Sequence, residues 1–176
     1  MRKTYSNPVH YYVEGECEEK LITALKTGKD NFRIPGKVEV FNVIRDRLNI
    51  RRLASLTKGT IIVFVYDTDI PNTDILNENI ELLEKTGFTT IHHIQSIRCF
   101  EDEIVRSTSL ENINDCFSTE NVEEFKAQFI AHKDIVNKLK KIDFDDQKLW
   151  MTRNTKAPFS TYYKKSSQEF IPVRKK

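Results

Sequence analysis

The apolar positions of this chain change period as it is read. Val9 to Val13 (VHYYV) is a short run of β-forming residues that stops at Glu14-Gly15. Glu18 to Lys26 then sets Leu21, Ile22 and Leu25 at helical spacing. Thr27 to Gly36 is polar, holds two glycines and a proline, and predicts a loop. Lys37 to Phe41 (KVEVF) alternates as a strand does. Asn42 to Leu56 carries Val43, Ile44, Leu48, Leu53 and Leu56 on one stripe, which predicts a helix stopped by Lys58-Gly59. Thr60 to Tyr66 (TIIVFVY) is the strongest strand, with the continuous apolar run of a parallel strand covered on both faces. Asn72 or Thr73 caps a helix over Asp74 to Lys85, whose buried stripe is Ile75, Leu76, Ile80 and Leu83. Gly87 ends that helix. Phe88 to Ile97 predicts a fourth strand, and Phe100 to Arg106 a short helix opened by Glu101, Asp102 and Glu103. Val122 to Lys141 predicts helix in one or two pieces, and the pattern assigns nothing after Asp143.

Strands alternating with helices in this order predict an α/β fold. Its sheet is mostly parallel and Rossmann-like, with right-handed crossovers and helices on both faces. The expected organisation is one domain: a core over residues 8–105, helices packed on it over 106–150, and a basic tail over 151–176. A length of 176 residues suits one sizeable core. The longest apolar run, Ile61 to Tyr66, is far short of the roughly 20 residues of a membrane helix. The first residues (MRKTYSNPVHYY) contain no apolar signal region. Cys17, Cys99 and Cys116 lack the spacing of a disulfide framework or zinc site. A cytoplasmic protein with no membrane association is expected.

Net charge is only +2, but it is unevenly distributed. From Met151 onward there are seven Lys or Arg and one acid, Glu169, leaving 21 basic and 25 acidic residues before it. A basic tail that also holds Phe159, Tyr162 and Tyr163 reads as a nucleic-acid contact strip or as a solubilising tail. Arg45, Arg47, Arg51 and Arg52 crowd one predicted helix, either as a phosphate-contact face or as a solvated surface.

In an open parallel sheet the working site forms beyond the carboxyl ends of the strands. Asp67 and Asp69 follow the strongest strand; Glu14 ends the first, with Glu18 four residues on. If the two strands are neighbours, four carboxylates converge on one edge. In an extended chain Asp67 and Asp69 share a face and Thr68 points away. In a helix, Glu14 and Glu18 lie near one side. Carboxylates crowded this way repel and raise one another's pKa unless a cation sits among them, and hard oxygen donors suit Mg²⁺ or Mn²⁺. The bland alternative is that Asp-x-Asp is a turn and Glu-Gly a strand-to-helix corner.

"VEGECEE" (Val13 to Glu19) followed by "IIVFVYDTD" (Ile61 to Asp69) resembles the Toprim domain of topoisomerases, bacterial primases and OLD-family nucleases. Glu14, Gly15, Glu18, Asp67 and Asp69 match its pattern over roughly residues 8 to 105, with Glu18 where the family more often has Asp. "SIRCFEDEI" (Ser96 to Ile104) is similar, more loosely, to small RloB-like Toprim proteins. The resemblance implies Mg²⁺-dependent phosphodiester chemistry. Glu14 would be general acid/base or metal ligand, Asp67 and Asp69 would hold metal, and Glu18 would support a second ion. Glu101 and Glu103 are secondary candidates, since acids at a helix start also serve the helix dipole.

The chain has no Cys/His module for a primase and no room for a topoisomerase's nucleophilic tyrosine domain. The expectation is a Toprim nuclease that cuts RNA such as tRNA in preference to DNA, in phage defence. Its grip would come from Arg45, Arg51, Arg52, Lys156, Lys164 and Lys165. The alternative is an inert Toprim module that binds nucleic acid or an ATPase partner; a homodimer is a further expectation. A haloacid dehalogenase-type phosphatase also uses Asp-x-Asp after a strand, but its pair is usually followed by Gly, where this chain has Ile70. His92 and His93 point to opposite strand faces, and His10 and His132 receive no role. No Walker loop, GxGxxG or GxSxG is present.

Overall fold

The computed structural model describes residues 7–27, 36–151 and 155–170. Four parallel strands form its sheet in the order β2-β1-β3-β4: β1 Val9–Val13, β2 Lys37–Val40, β3 Ile61–Asp67 and β4 Ile91–Ser96. Three larger helices follow β1, β3 and the strand section: α1 Glu16–Thr27, α3 Asp74–Lys85 and α5 Val122–Ala131. Shorter ones are α2 Ile50–Leu53, α4 Phe100–Arg106 and α6 Ile135–Lys140. The expected α/β class is therefore observed, and the sheet, expected to be mostly parallel, is parallel at every pairing. No helix among the described residues is long and apolar enough to cross a membrane.

Period-2 alternation divides the sheet residues between two cores. Val9, Tyr11, Val13, Val63, Val65 and Ile94 face a cluster built with α1, α4, α5 and α6. Tyr12, Ile62, Phe64, Tyr66 and Ile91 face the other, built with Phe41, Leu48, Leu53, Leu76 and Leu83. β3 sits between β1 and β4, which is why its run from Ile61 to Tyr66 is apolar at every position and wholly buried.

Two expectations change. The helix predicted over Asn42 to Leu56 shrinks to α2, because asparagine side chains take over its backbone groups. Asn42 Oδ1 accepts from the amides of Ile44 (3.0 Å) and Arg45 (3.1 Å), closing a turn. Asn79 of α3, 1% exposed, donates to Val43 O and Asp46 O and accepts from Leu48 N at 2.7 Å. These partners satisfy the segment without helical bonding. β4 starts later than the pattern implies, because Gly87 (φ 93°) and Phe88 finish α3, with Phe88 N donating to Leu83 O at 2.9 Å.

The segment read as a basic tail is, over residues 155–170, a strap across the β4 edge. Phe159 is buried in the second core, and Gln95 Nε2 donates to its carbonyl at 3.0 Å. Thr155 Oγ1 donates to Gln95 Oε1 at 2.9 Å, and Tyr162 OH donates to Asn77 Oδ1 at 2.6 Å. Ser167 Oγ accepts from His93 N at 3.2 Å, and Phe170 lies against the His92 ring in the first core. The strap thus touches both faces of the sheet and covers an edge that would otherwise stay open.

Candidate active site

β1 and β3 are neighbours, with Val13 opposite Val65, so their carboxyl ends meet. Just past them, Glu14 N donates to Val65 O at 3.0 Å. The Glu14 carboxylate is held at both oxygens: Oε1 accepts from Asn42 Nδ2 and Oε2 from the Asp67 amide, each at 2.9 Å. Asp67 ends β3 opposite Ser96 of β4. Its parity with Val63 and Val65 aims it to the α1 and α4 side.

A cleft of about 270 Å³ opens there, lined by Glu14, Gly15, Glu18, Asp67, Glu101 and Lys126 among others. Glu18 is 4% exposed in the first turn of α1. Gly15 leaves room for it: a Cβ there would stand 3.2 Å from Glu18 Oε2. Glu101 is buried in the first turn of α4, and its Oε1 lies 3.0 Å from Lys126 Nζ of α5. Phe100 and Ile130 form the apolar wall.

The electrostatics follow from enclosure. Burial, then the charges of Glu18 and Glu14, push the Asp67 carboxyl up to about 8, against the pull of the Ser96 hydroxyl and the Phe100 amide. Burial also pushes Glu18 up to about 7, opposed by its own backbone amide and reinforced by Glu14 and Glu101. Asp67 Oδ1 is buried with no hydrogen-bond partner. Behind it, Trp150 Nε1 donates to Ser96 Oγ at 3.3 Å. Cys17 also lines the cleft, but burial lifts its thiol to about 12, so it stays protonated and is a poor nucleophile.

The donors at this edge are hard carboxylate oxygens, and the unpartnered Asp67 Oδ1 is a free acceptor among them; this chemistry fits Mg²⁺ or Mn²⁺. The side chains are not pre-assembled: among the described residues no three His, Cys, Asp or Glu side chains form a ready metal-ligand group.

Other predicted site residues fall elsewhere. Asp69 is exposed beyond the strand and does not line the cleft. The alternation that would align it with Asp67 requires an extended chain. Here Thr68 N donates to Arg98 O (3.1 Å) and Thr68 Oγ1 to Ser96 O (2.9 Å), and the chain bends. Glu103, fully buried, is engaged structurally: it accepts from Ile97 N (2.8 Å), Trp150 N (3.0 Å) and Arg106 Nη1 (2.6 Å).

The arginines separate as well. Arg47 pairs with Glu78, and Arg52 with Glu39, its guanidinium 4.5 Å from the Phe41 ring centre. Arg51 is exposed beside Arg52 in a shallow pocket. Arg45 is exposed in the turn held by Asn42, the same side chain that orients Glu14. Lys156 and Lys164 are exposed on the strap and do not line the cleft, and the Lys165 side chain lies outside the described residues. His10, His92 and His93 are held below the ordinary imidazole range by burial, and none lines the cleft.

Three contributors escaped the sequence: Asn42, Ser96 and Lys126. Asn42 follows a predicted strand and Ser96 lies next to the end of another, positions at the carboxyl edge of the sheet. Lys126 sits beside buried Phe125 on an amphipathic helix, and nothing local reveals that α5 crosses the cleft. Compared with protein-family models, curated proteins and solved structures, the chain matches none.

Proposed function

We propose that this is a Toprim-like nuclease whose cleft binds Mg²⁺ or Mn²⁺ and cleaves phosphodiester bonds, in RNA such as tRNA before DNA. One observation carries the reading. Glu14 and Asp67, from adjacent strand ends, are locked together through the Asp67 amide, and Asp67 Oδ1 is left unpartnered. Glu14 and Asp67 would hold the ion, with Glu18 and Glu101 beside it. The ion would neutralise phosphoryl charge and lower the pKa of a bound water. Asn42 fixes the Glu14 carboxylate so that it presents the same oxygens on each encounter. Lys126 offsets the charge of Glu101 at the cleft mouth. Phe100 and Ile130 exclude water on one side, which strengthens each charge interaction in the cleft. Phage defence belongs to the same proposal, and an ATPase partner to the non-cutting alternative.

A second reading is favoured by the absence of a ready ligand group among the described residues. The module would then bind nucleic acid or a partner without cutting. Mn²⁺-dependent cleavage of tRNA, single-stranded RNA and plasmid DNA separates the two. Cleavage by wild type that is abolished in both Glu14→Ala and Asp67→Ala supports the nuclease. Cleavage that persists in Asp67→Ala refutes this site, and absence of cleavage on every substrate leaves the binding module.

A further inference from the structure

The cleft carries several carboxylates and a single lysine, so it does not by itself attract a phosphate backbone. A second concavity of about 500 Å³ lies beyond the end of α5, lined by His132, Asp134, Asn137, Lys138, Lys140 and Lys141. Its single carboxylate is engaged: Asp134 Oδ1 accepts from Asn137 N (3.2 Å) and Oδ2 from Asn137 Nδ2 (2.6 Å), capping α6. Among the described residues no ion pair joins a carboxylate to Lys138 or Lys141, and Lys138 Nζ lies 5.1 Å from the Phe117 ring centre. His132 Nδ1 accepts from Asp134 N at 3.1 Å, which leaves the ring proton on Nε2 as a donor. Lysine ammonium groups and an imidazole N–H are donors that hold a phosphodiester backbone without reading bases.

The end of α5 contributes a residue to each concavity. Ile130 lines the cleft and His132 the groove, two residues apart at the end of α5. Another basic concavity, with Lys37, Arg51 and Arg52, differs on both counts. Its Glu39 pairs with Lys37, Arg52 and His10, and Lys37 opens β2 at the amino ends of the strands, away from the cleft.

We infer that the groove between α5 and α6 binds the phosphodiester backbone of a single-stranded nucleic acid and leads it to the carboxylate cleft, with Lys138, Lys141 and His132 as its contacts. The direction of travel rests on the cleft being a phosphodiester site; the binding does not. The test is fluorescence anisotropy of the full chain with labelled oligouridylate and oligothymidylate, in EDTA, over a salt series. Each single-strand phosphate contact contributes about 0.7 to the slope of log affinity against log salt, so Lys138→Gln/Lys141→Gln should flatten it by about 1.4. Lys141→Glu alone, at an exposed position, should weaken binding, and Lys85→Gln, exposed on α3 and paired with Glu81, should leave the slope unchanged. Far-UV circular dichroism of each variant checks the fold. An unchanged slope in the double variant overturns the inference, as does wild type that binds neither strand or binds only anionic lipid vesicles. A flattened slope with no Mn²⁺-dependent cleavage upholds the groove and refutes the nuclease. Cleavage with an unchanged slope does the reverse.

Discussion

Asp67→Asn should stabilise this protein, and increasingly so as pH rises. The Asp67 carboxyl shifts from an ordinary 3.8 to about 8, chiefly because it is buried and secondarily because Glu18 and Glu14 repel its charge. Between those two values the folded state binds the proton and the unfolded state has released it. Stability is therefore fullest below the ordinary carboxylate value and falls as pH rises toward 8. Each pH unit in that window removes about 1.4 kcal/mol, or about 3 kcal/mol between pH 5 and pH 7. For a chain of this size that is a drop in Tm of about 6–12 °C. The amide introduced by the substitution keeps the shape and does not titrate, so the variant's Tm should pull ahead of wild type by that amount over the same range. The assay is thermal unfolding followed by circular dichroism in EDTA at several pH values. Glu18 adds a slope of the same sign to both proteins, and because it repels the Asp67 charge the difference reports Asp67 together with that coupling. Adding Mn²⁺ should narrow the gap by stabilising only wild type. A gap that stays constant with pH, or that closes as pH rises, refutes the burial argument.

Three further outcomes follow from the packing. Phe159→Ala removes a buried ring that lies 5.9 Å from Tyr66 centre to centre, and should lose about 3–5 kcal/mol in urea unfolding and expose the strap to limited proteolysis. Glu103→Ala removes the carboxylate that accepts from the amides of Ile97 and Trp150, at about 1–3 kcal/mol each, which chemical denaturation will register. Asn42→Ala frees Glu14 from its outer anchor and should weaken Mn²⁺ binding by about 10–100-fold, and because it also removes the acceptor of the Ile44 and Arg45 amides it should lower stability by about 1–3 kcal/mol.

Much of the working edge was legible because it depends on local rules. The apolar run of β3, the Glu14-Gly15 corner and the rule of strand carboxyl ends together identify Glu14 and Asp67 as neighbours. The remainder depended on contacts distant in sequence. The Asn42 to Leu56 stripe is apolar at helical spacing, yet Asn79 on α3 dictates its backbone. Phe159 and Phe170 are isolated apolar residues in a basic segment, so no period marks them, though both end in the core. Asp69 left the expected face because Thr68 ties to Ser96 and Arg98, a pairing with no local signal. Lys126 reaches the cleft through the path of α5 across the sheet edge.

The most direct test of the metal site is calorimetric titration of Mn²⁺ into wild type, Glu14→Ala and Asp67→Ala at neutral pH. Saturable binding by wild type that is lost in Asp67→Ala and weakened in Glu14→Ala is the predicted result. Binding that survives unchanged in Asp67→Ala, or wild type that takes up no ion at millimolar metal, would contradict a metal site between these strand ends.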